Sequence, residues 1–303
     1  MTVVTDLARP AVVEAPGPAP RRRGTSGFNT VSPREKVVRY VLLAFVLLIT
    51  IGPFLWQLST SLKGAGEDVY SQVPRLLPSQ PTFAHYKEVT DTIPVWDYAR
   101  NSLVVAFFVV FGNVVGASLA GFALSRLQFR GRRIVLGLFL ATLVLPGEVT
   151  IISQYVTVRE FGLANTLFGV ALPGMIGALN VLLMYNAFRS LPVEVDQAAV
   201  VDGANAWQRL IYIGLPSVRG TISVVAIFAF IGAWDDFLWP LIVLTDPNKY
   251  TLTVGLQYLS GTFTNNPRLI AAGTMIAFIP IVIVFATLQR FFFKGVEEGA
   301  VKG

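Results

Sequence analysis

Three carboxyl side chains interrupt otherwise apolar stretches of the chain: Glu148, Asp235 and Asp236. Carboxyl groups so placed can act as acid and base, ligate a metal, or line a polar path through lipid. The first two chemistries find no support elsewhere. The chain has one histidine, His85, and no cysteine, which excludes disulfides and Cys-ligated metals and leaves too few ligands for a His-based site. No D-D-x-x-D or H-x-x-x-H pattern occurs. His85 itself reads as a solvated loop residue. The second polar feature is VDQAAVVDGANAWQRLIYIGLP, from Val195 to Pro216, which lies between two long apolar runs. No G-x-x-x-x-G-K-[ST] phosphate loop occurs anywhere, so ATP-driven work would need another polypeptide.

The elements that position these residues read as membrane spans. Of 303 residues, 53% are hydrophobic and only 14% charged, against about 25% charged in a typical soluble domain. Mean hydropathy is +0.61. Apolar runs cover Tyr40–Leu58, Asn101–Ser125, Ile134–Val158, Phe161–Phe188, Gly220–Thr245 and Leu269–Gln289. Each approaches or exceeds the ~20 residues a helix needs to cross a bilayer. Ser32-Pro33-Arg34-Glu35 starts the first with a capping hydroxyl, Pro in the first turn and Glu three residues on. Residues 1–34 are rich in Pro, Ala, Gly and Arg and read as a disordered cytoplasmic tail. The run starting near Tyr40 has no small-x-small exit and reads as a retained span rather than a cleaved signal.

The expected fold is therefore an all-α polytopic membrane protein with six transmembrane helices. With the N-terminus cytoplasmic, 17 of the 24 Lys and Arg fall on the inside and 7 on the outside. That bias places both termini in the cytoplasm. It also accounts for the net charge of +6 without nucleic acid. Glu148 lies 14 residues past Ile134, about 21 Å into a core of about 30 Å. Asp235 falls at a similar depth. Both read either as lining the outer end of a translocation path or as lying at the outer interface, with Trp234 and Trp239 as headgroup-level anchors. Pro146 and Pro240 are candidate helix breaks.

The polar stretch reads as a short helix-turn-helix between spans four and five. Pro192 starts the first helix, and Glu194 and Asp196 suit its positive end. Gln197, Ala198 and Ala199 follow, and the two alanines allow close approach of another surface. Asp202-Gly203 is a stop and turn. A second helix, about Asn205 to Ile213, leads back to the membrane and ends at Leu215-Pro216, because the residue before proline avoids the helical region. By shape alone this is a rigid knob at the cytoplasmic face, or merely a connector.

Gln197-Ala198-Ala199, then Gly203, then Ile213-x-Leu215-Pro216 resembles the loop that marks the membrane subunits of binding-protein-dependent ABC importers, Glu-Ala-Ala, three residues, Gly, nine residues, Ile-x-Leu-Pro. GFALSRLQFRGRR, GAWDDFLWPLIVL, YTLTVGL and the terminal QRFFFKGVEEGAVKG resemble the carbohydrate branch, specifically the smaller membrane subunit of maltose-type systems. The similarity covers residues 35–303, which it implies form one permease domain. Two positions depart from the pattern: Gln197 replaces the leading Glu and drops its charge, and Trp234-Asp235-Asp236 stands where the family usually has Trp-Asn-Asp.

The resemblance implies a multi-pass inner-membrane protein of a prokaryotic cell, with Gln197, Ala198, Ala199, Asp202 and Gly203 docked in a cleft of a cytoplasmic ATPase. It implies the following partners: a second homologous permease subunit, two copies of that ATPase, an extracytoplasmic sugar-binding protein and the lipid bilayer. ATP binds the partner subunits, and this chain carries no cofactor and no catalysis. The terminal Gly299-Ala300-Val301-Lys302-Gly303 would reach into the ATPase interface. The competing classes are an integral-membrane enzyme using Glu148, Asp235 and Asp236, and a stand-alone channel or carrier, which would need no knob.

Overall fold

The computed structural model describes residues 33–70, 75–261 and 266–300; the side chains of 260, 261 and 291–300 lie outside that description. Among the described residues every regular element is helical. The chain divides at Gly52 and Pro53 into two separately packed units.

The described part of the first unit is one continuous helix, the start of α1 (Pro33–Leu62). Pro33 opens it, where a missing N–H leaves no bond unmade. Its apolar side chains from Val37 to Ile49 stand exposed, as suits a helix made for lipid or another chain.

The second unit holds the rest: α2 (Ala84–Thr92), α3 (Val95–Arg126), α4 (Arg132–Thr142), α5 (Ile151–Glu160), α6 (Leu167–Ala171), α7 (Ala178–Arg189), α8 (Val193–Val201), α9 (Ala206–Gln208), α10 (Leu215–Ser217), α11 (Arg219–Asp235), α12 (Leu238–Val243), α13 (Leu252–Gly261) and α14 (Pro267–Ala300). Three helices, Pro33–Leu62, Val95–Arg126 and Pro267–Arg290, are long and apolar enough to cross a membrane, and up to six spans result if each bent pair counts as one.

The long helix α3 is the centre of this unit and packs along α7 and α11, while α11 also packs on α14. Glycines allow the α3–α7 approach. A Cβ on Gly121 would lie 2.7 Å from Met184 Cβ and 2.8 Å from backbone atoms of Met184 and Tyr185. Small residues serve this purpose where lipid supplies no hydrophobic drive to bring helices together.

The expected continuous spans three, four and five are each interrupted. The third bends by 101° between α4 and the 3₁₀ turn Gly147–Thr150 that leads into α5. Pro146 is extended there (φ −61°, ψ 133°), so this break falls at the expected proline. The fourth does not begin at Phe161. The chain first turns through Gly162 (φ 70°) and Asn165 (φ 55°), and the helix starts at Leu167 with the Thr166 side chain as cap. It then breaks at Ile176-Gly177, with a 42° bend before α7. The fifth is interrupted at Asp236, which is extended (ψ 124°), and not at Pro240. Pro240 lies in the first turn of α12, where its missing N–H costs no intrahelical bond.

His85 is not a solvated loop residue. It belongs to α2, is buried, and its ring nitrogens lie 3.1 Å from the Glu88 carboxyl and 3.1 Å from the Lys63 carbonyl. The segment joining the first two spans is thus packed, and Val89 and Ile93 join the core shared by α3, α11 and α14. Trp234 and Trp239 are not interfacial anchors. Both are buried, and their indole N–H groups donate to Ala277 O and Val170 O, each at 3.0 Å. Burying an indole requires such a partner.

Candidate functional site

Two places in the second unit hold most of the polar residues singled out from the sequence. The first is the hairpin after α7. Pro192 is the N-cap of α8, and Glu194 and Asp196 occupy its first turn. Asp202 N–H closes the helix on Ala198 O at 2.9 Å, and Gly203 takes φ 81°. That left-handed angle is why glycine sits there. Asn205 then forms a capping box with Gln208, with bonds of 3.0 and 2.8 Å. The return helix does not stop at Leu215-Pro216. It widens into a π turn over Arg209–Gly214 and continues through Pro216 to Ser217, with Leu215 helical (φ −59°, ψ −44°). A π turn displaces the carbonyl that a proline ring would strike in an α-helix. The helix ends at Val218 (φ −114°, ψ 23°), and α11 leaves at 81° to the preceding segment.

Two arginines fix this hairpin. Arg209 from the return helix donates from Nε and Nη2, one edge of its guanidinium, to the two carboxylate oxygens of Asp196 of α8, at 2.9 and 2.5 Å, with only 12% and 21% of the two side chains exposed. Arg126, the last residue of α3, donates to Phe188 O at 3.0 Å and to Leu191 O at 2.5 Å. It therefore adds donors to the Phe188 carbonyl, which also accepts from Leu191 N–H, and takes up the Leu191 carbonyl just past α7. Phe122 and Phe188 meet edge to face at 5.5 Å behind it, and Arg209 lies 6.0 Å over the Phe122 ring. The hairpin is tied to itself and, through Arg126, to α3 and α7. Of its outward residues Gln197, Ala198 and Asp202 are exposed, whereas Ala199 is buried.

The second place is a cavity of about 450 Å³ between α3, the Gly147–Glu160 segment, the broken fourth span and the break between α11 and α12. Glu148 and Asp236 both line it; Asp235 does not, and is exposed elsewhere. Asn113 of α3 stitches the wall together. Its amide N–H groups reach Val109 O and Gly174 O at 2.9 and 2.7 Å, and its Oδ1 accepts from Gly177 N and Asn180 Nδ2, each at 2.8 Å. A buried asparagine with all four groups paired holds the fourth span's break open at a fixed place. Asp236 Oδ1 accepts from Trp239 N at 3.3 Å, which starts α12. Among the described residues no three His, Cys, Asp or Glu gather to hold a metal ion.

Residues 112–298 match the model of the family described as binding-protein-dependent transport system inner membrane component. The chain belongs to that family. The match includes the hairpin and all of the cavity's lining except Val105 and Val109. The chain is 32% identical over 268 residues to the inner membrane ABC transporter permease protein YcjP of Escherichia coli, covering 87% of this chain and 95% of that protein. It is 33% identical to the diacetylchitobiose uptake system permease protein DasC of Streptomyces coelicolor, covering 86% and 95%. It is 30% identical to the maltodextrin transport system permease protein MdxG of Bacillus subtilis, covering 91% and 99%. A solved bacterial ABC transporter involved in import of the acidic polysaccharide alginate shares the fold, with a TM-score of 0.73 and 23% identity over 86% of this chain and 98% of that one.

As a member of this family the chain is a multi-pass inner-membrane transport component. Sequence reasoning singled out the hairpin's exposed residues but missed what holds them, Arg126, Asp196 and Arg209. Arg126 stands inside GFALSRLQF, and that motif was its only signal. The Asp196–Arg209 pair spans 13 residues across a turn, which no periodicity reveals. Asn113 and Asn180 were missed because a lone amide in an apolar run announces no partner. Gly299 and Ala300 continue α14 in backbone only, and Val301, Lys302 and Gly303 lie outside the described residues.

Proposed function

We propose that this chain is the smaller membrane subunit of an ATP-driven saccharide importer, forming one half of the translocation path and coupling it to a separate ATPase. The carrying observation is the hairpin: a helix whose exposed Gln197, Ala198 and Asp202 are presented by a left-handed Gly203 and latched from behind by Asp196–Arg209. A connector needs neither device; a part that transmits force needs both. DasC and MdxG, named for uptake of diacetylchitobiose and maltodextrin, support a saccharide as cargo. In this reading the third and fourth spans are bent pairs, α11 with α12 makes the fifth while the return helix stays at the cytoplasmic face, there are six spans in all, and both termini are cytoplasmic. A second homologous permease subunit, two copies of the ATPase and an external binding protein complete the machine, and ATP is held by the ATPase subunits. The C-terminal residues Gly299 to Gly303 reach toward the ATPase.

The test is co-expression with candidate partners and purification through a tag on this chain. The proposal expects a stoichiometric ATPase whose hydrolysis rises when saccharide-loaded binding protein is added. A chain that purifies alone and moves solute without ATP would overturn it.

A further inference from the structure

We propose that the cavity between α3 and the broken spans is a contact site for the passing cargo, and that its wall admits neutral polyhydroxylated saccharides while rejecting uronates. This rests on the importer reading above. At about 450 Å³ the cavity lies within the usual range for small-molecule sites, ~300–1,000 Å³. Its polar groups are Glu148, Gln154, Asn113, Asn180 and Asp236, with Trp239 beside them, and no Lys, Arg or His lines it. Asn180 is 7% exposed, and its Oδ1 has no hydrogen-bond partner among the described residues. Gln154 spends one N–H on Thr150 Oγ1 at 2.8 Å and keeps its carbonyl.

This wall is rich in acceptors. Sugar hydroxyls donate to carboxyl and amide oxygens and accept from the remaining amide N–H groups. A uronate carboxylate entering the same space loses hydration and meets two carboxyl groups with no cation to offset either, so the wall opposes it. The fold neighbour described as importing an acidic polysaccharide therefore shares the scaffold with this chain, while this lining carries the opposite preference.

The native chain has no cysteine, so Ile151→Cys places a single thiol of this subunit on the cavity wall. The assembled complex in nanodiscs is treated with trimethylammonioethyl or sulfonatoethyl methanethiosulfonate, and modification of this chain is followed by mass spectrometry. Relative to 2-mercaptoethanol in solution, the cationic reagent should be favoured by at least about tenfold. Glu148→Gln with Asp236→Asn should abolish that preference. Maltotriose, galactotriose or diacetylchitobiose should slow labelling, and trigalacturonate should not. Absence of labelling, equal reagent rates, no protection by any of the neutral saccharides, or protection by trigalacturonate would each overturn the proposal. Co-purification of the ATPase is read on the same samples, so loss of the importer reading is seen separately from loss of the charge preference.

Discussion

Asp196→Asn removes one end of the latch that holds α8 against its return helix. The native pair is bidentate, with Nε to Oδ1 at 2.9 Å and Nη2 to Oδ2 at 2.5 Å, and both side chains are largely covered. Exposed ion pairs contribute about 0–1 kcal/mol, while breaking a fully buried one costs about 3–5 kcal/mol. At 12% and 21% exposure this pair falls between, and about 2 kcal/mol is a fair magnitude. At ~1.4 kcal/mol per factor of ten, the closed hairpin loses about 30-fold against open forms. Affinity for the ATPase falls by at most that factor, because only the closed form presents the knob. Affinity is measured on the solubilised permease, and stimulated hydrolysis on the reconstituted complex. Arg209→Gln should behave like Asp196→Asn, and the double variant should be no worse than either, giving a coupling energy on the order of 1–3 kcal/mol. Unchanged affinity in Asp196→Asn, or single losses that simply add, would refute the latch.

Gly203→Val forces a β-branched residue to φ 81°, a strain of roughly 1–3 kcal/mol; ATPase binding and stimulated hydrolysis should both fall at normal membrane insertion, while Gln197→Glu should be tolerated. Gly121→Leu drives a side chain into Met184 and Tyr185 and should lower the yield of folded protein by separating α3 from α7, as read by detergent-stable monodispersity. Glu67 accepts backbone N–H bonds from Ser79, Gln80 and Gly64 at 3.0, 3.1 and 3.2 Å, and those from Ser79 and Gln80 chiefly hold its carboxyl below the ordinary 4.5. The folded value is depressed, so its contribution is complete above pH 4.5 and is lost as pH falls further; proteolysis of the loop should accelerate only in that acid range, and Glu67→Gln should be sensitive already at neutral pH. Reporter fusions at Pro78 should read outside and at Arg132 and Asp202 inside, a reversal at any of them contradicting the six-span arrangement.

The sequence made the hairpin legible because its punctuation is local. Pro192, Asp202-Gly203 and Asn205 each act within a turn; the turn falls at Asp202-Gly203 as expected, and Pro192 and Asn205 cap helices that start one residue later than expected. The breaks in the spans were less legible. Pro146 marks one, but the breaks at Asp236 and Ile176-Gly177 are held by contacts with Thr253 and Asn113 from other parts of the chain. Apolar periodicity cannot separate a straight span from a broken one, since both are greasy throughout. Pro240 and Pro216 mislead for a related reason: proline interrupts a helix only where an N–H is required, and neither the first turn of α12 nor the first turn of α10, just past the π turn, requires it. His85 misled because a single polar residue in a loop-like stretch carries no sign of the Lys63 carbonyl 22 residues away.

The central claim is that α8 is a coupling element seated on a separate ATPase. Its most direct measurement is photocrosslinking in native membranes, with a photoreactive amino acid at Gln197 and a control on the same chain at Phe83, in the loop before α2. The account predicts an adduct between this chain and an ATP-binding subunit from position 197, strengthened or weakened by ATP, and none from position 83. Adducts from position 197 only to lipid, or only within this chain, while the complex is active, would contradict it.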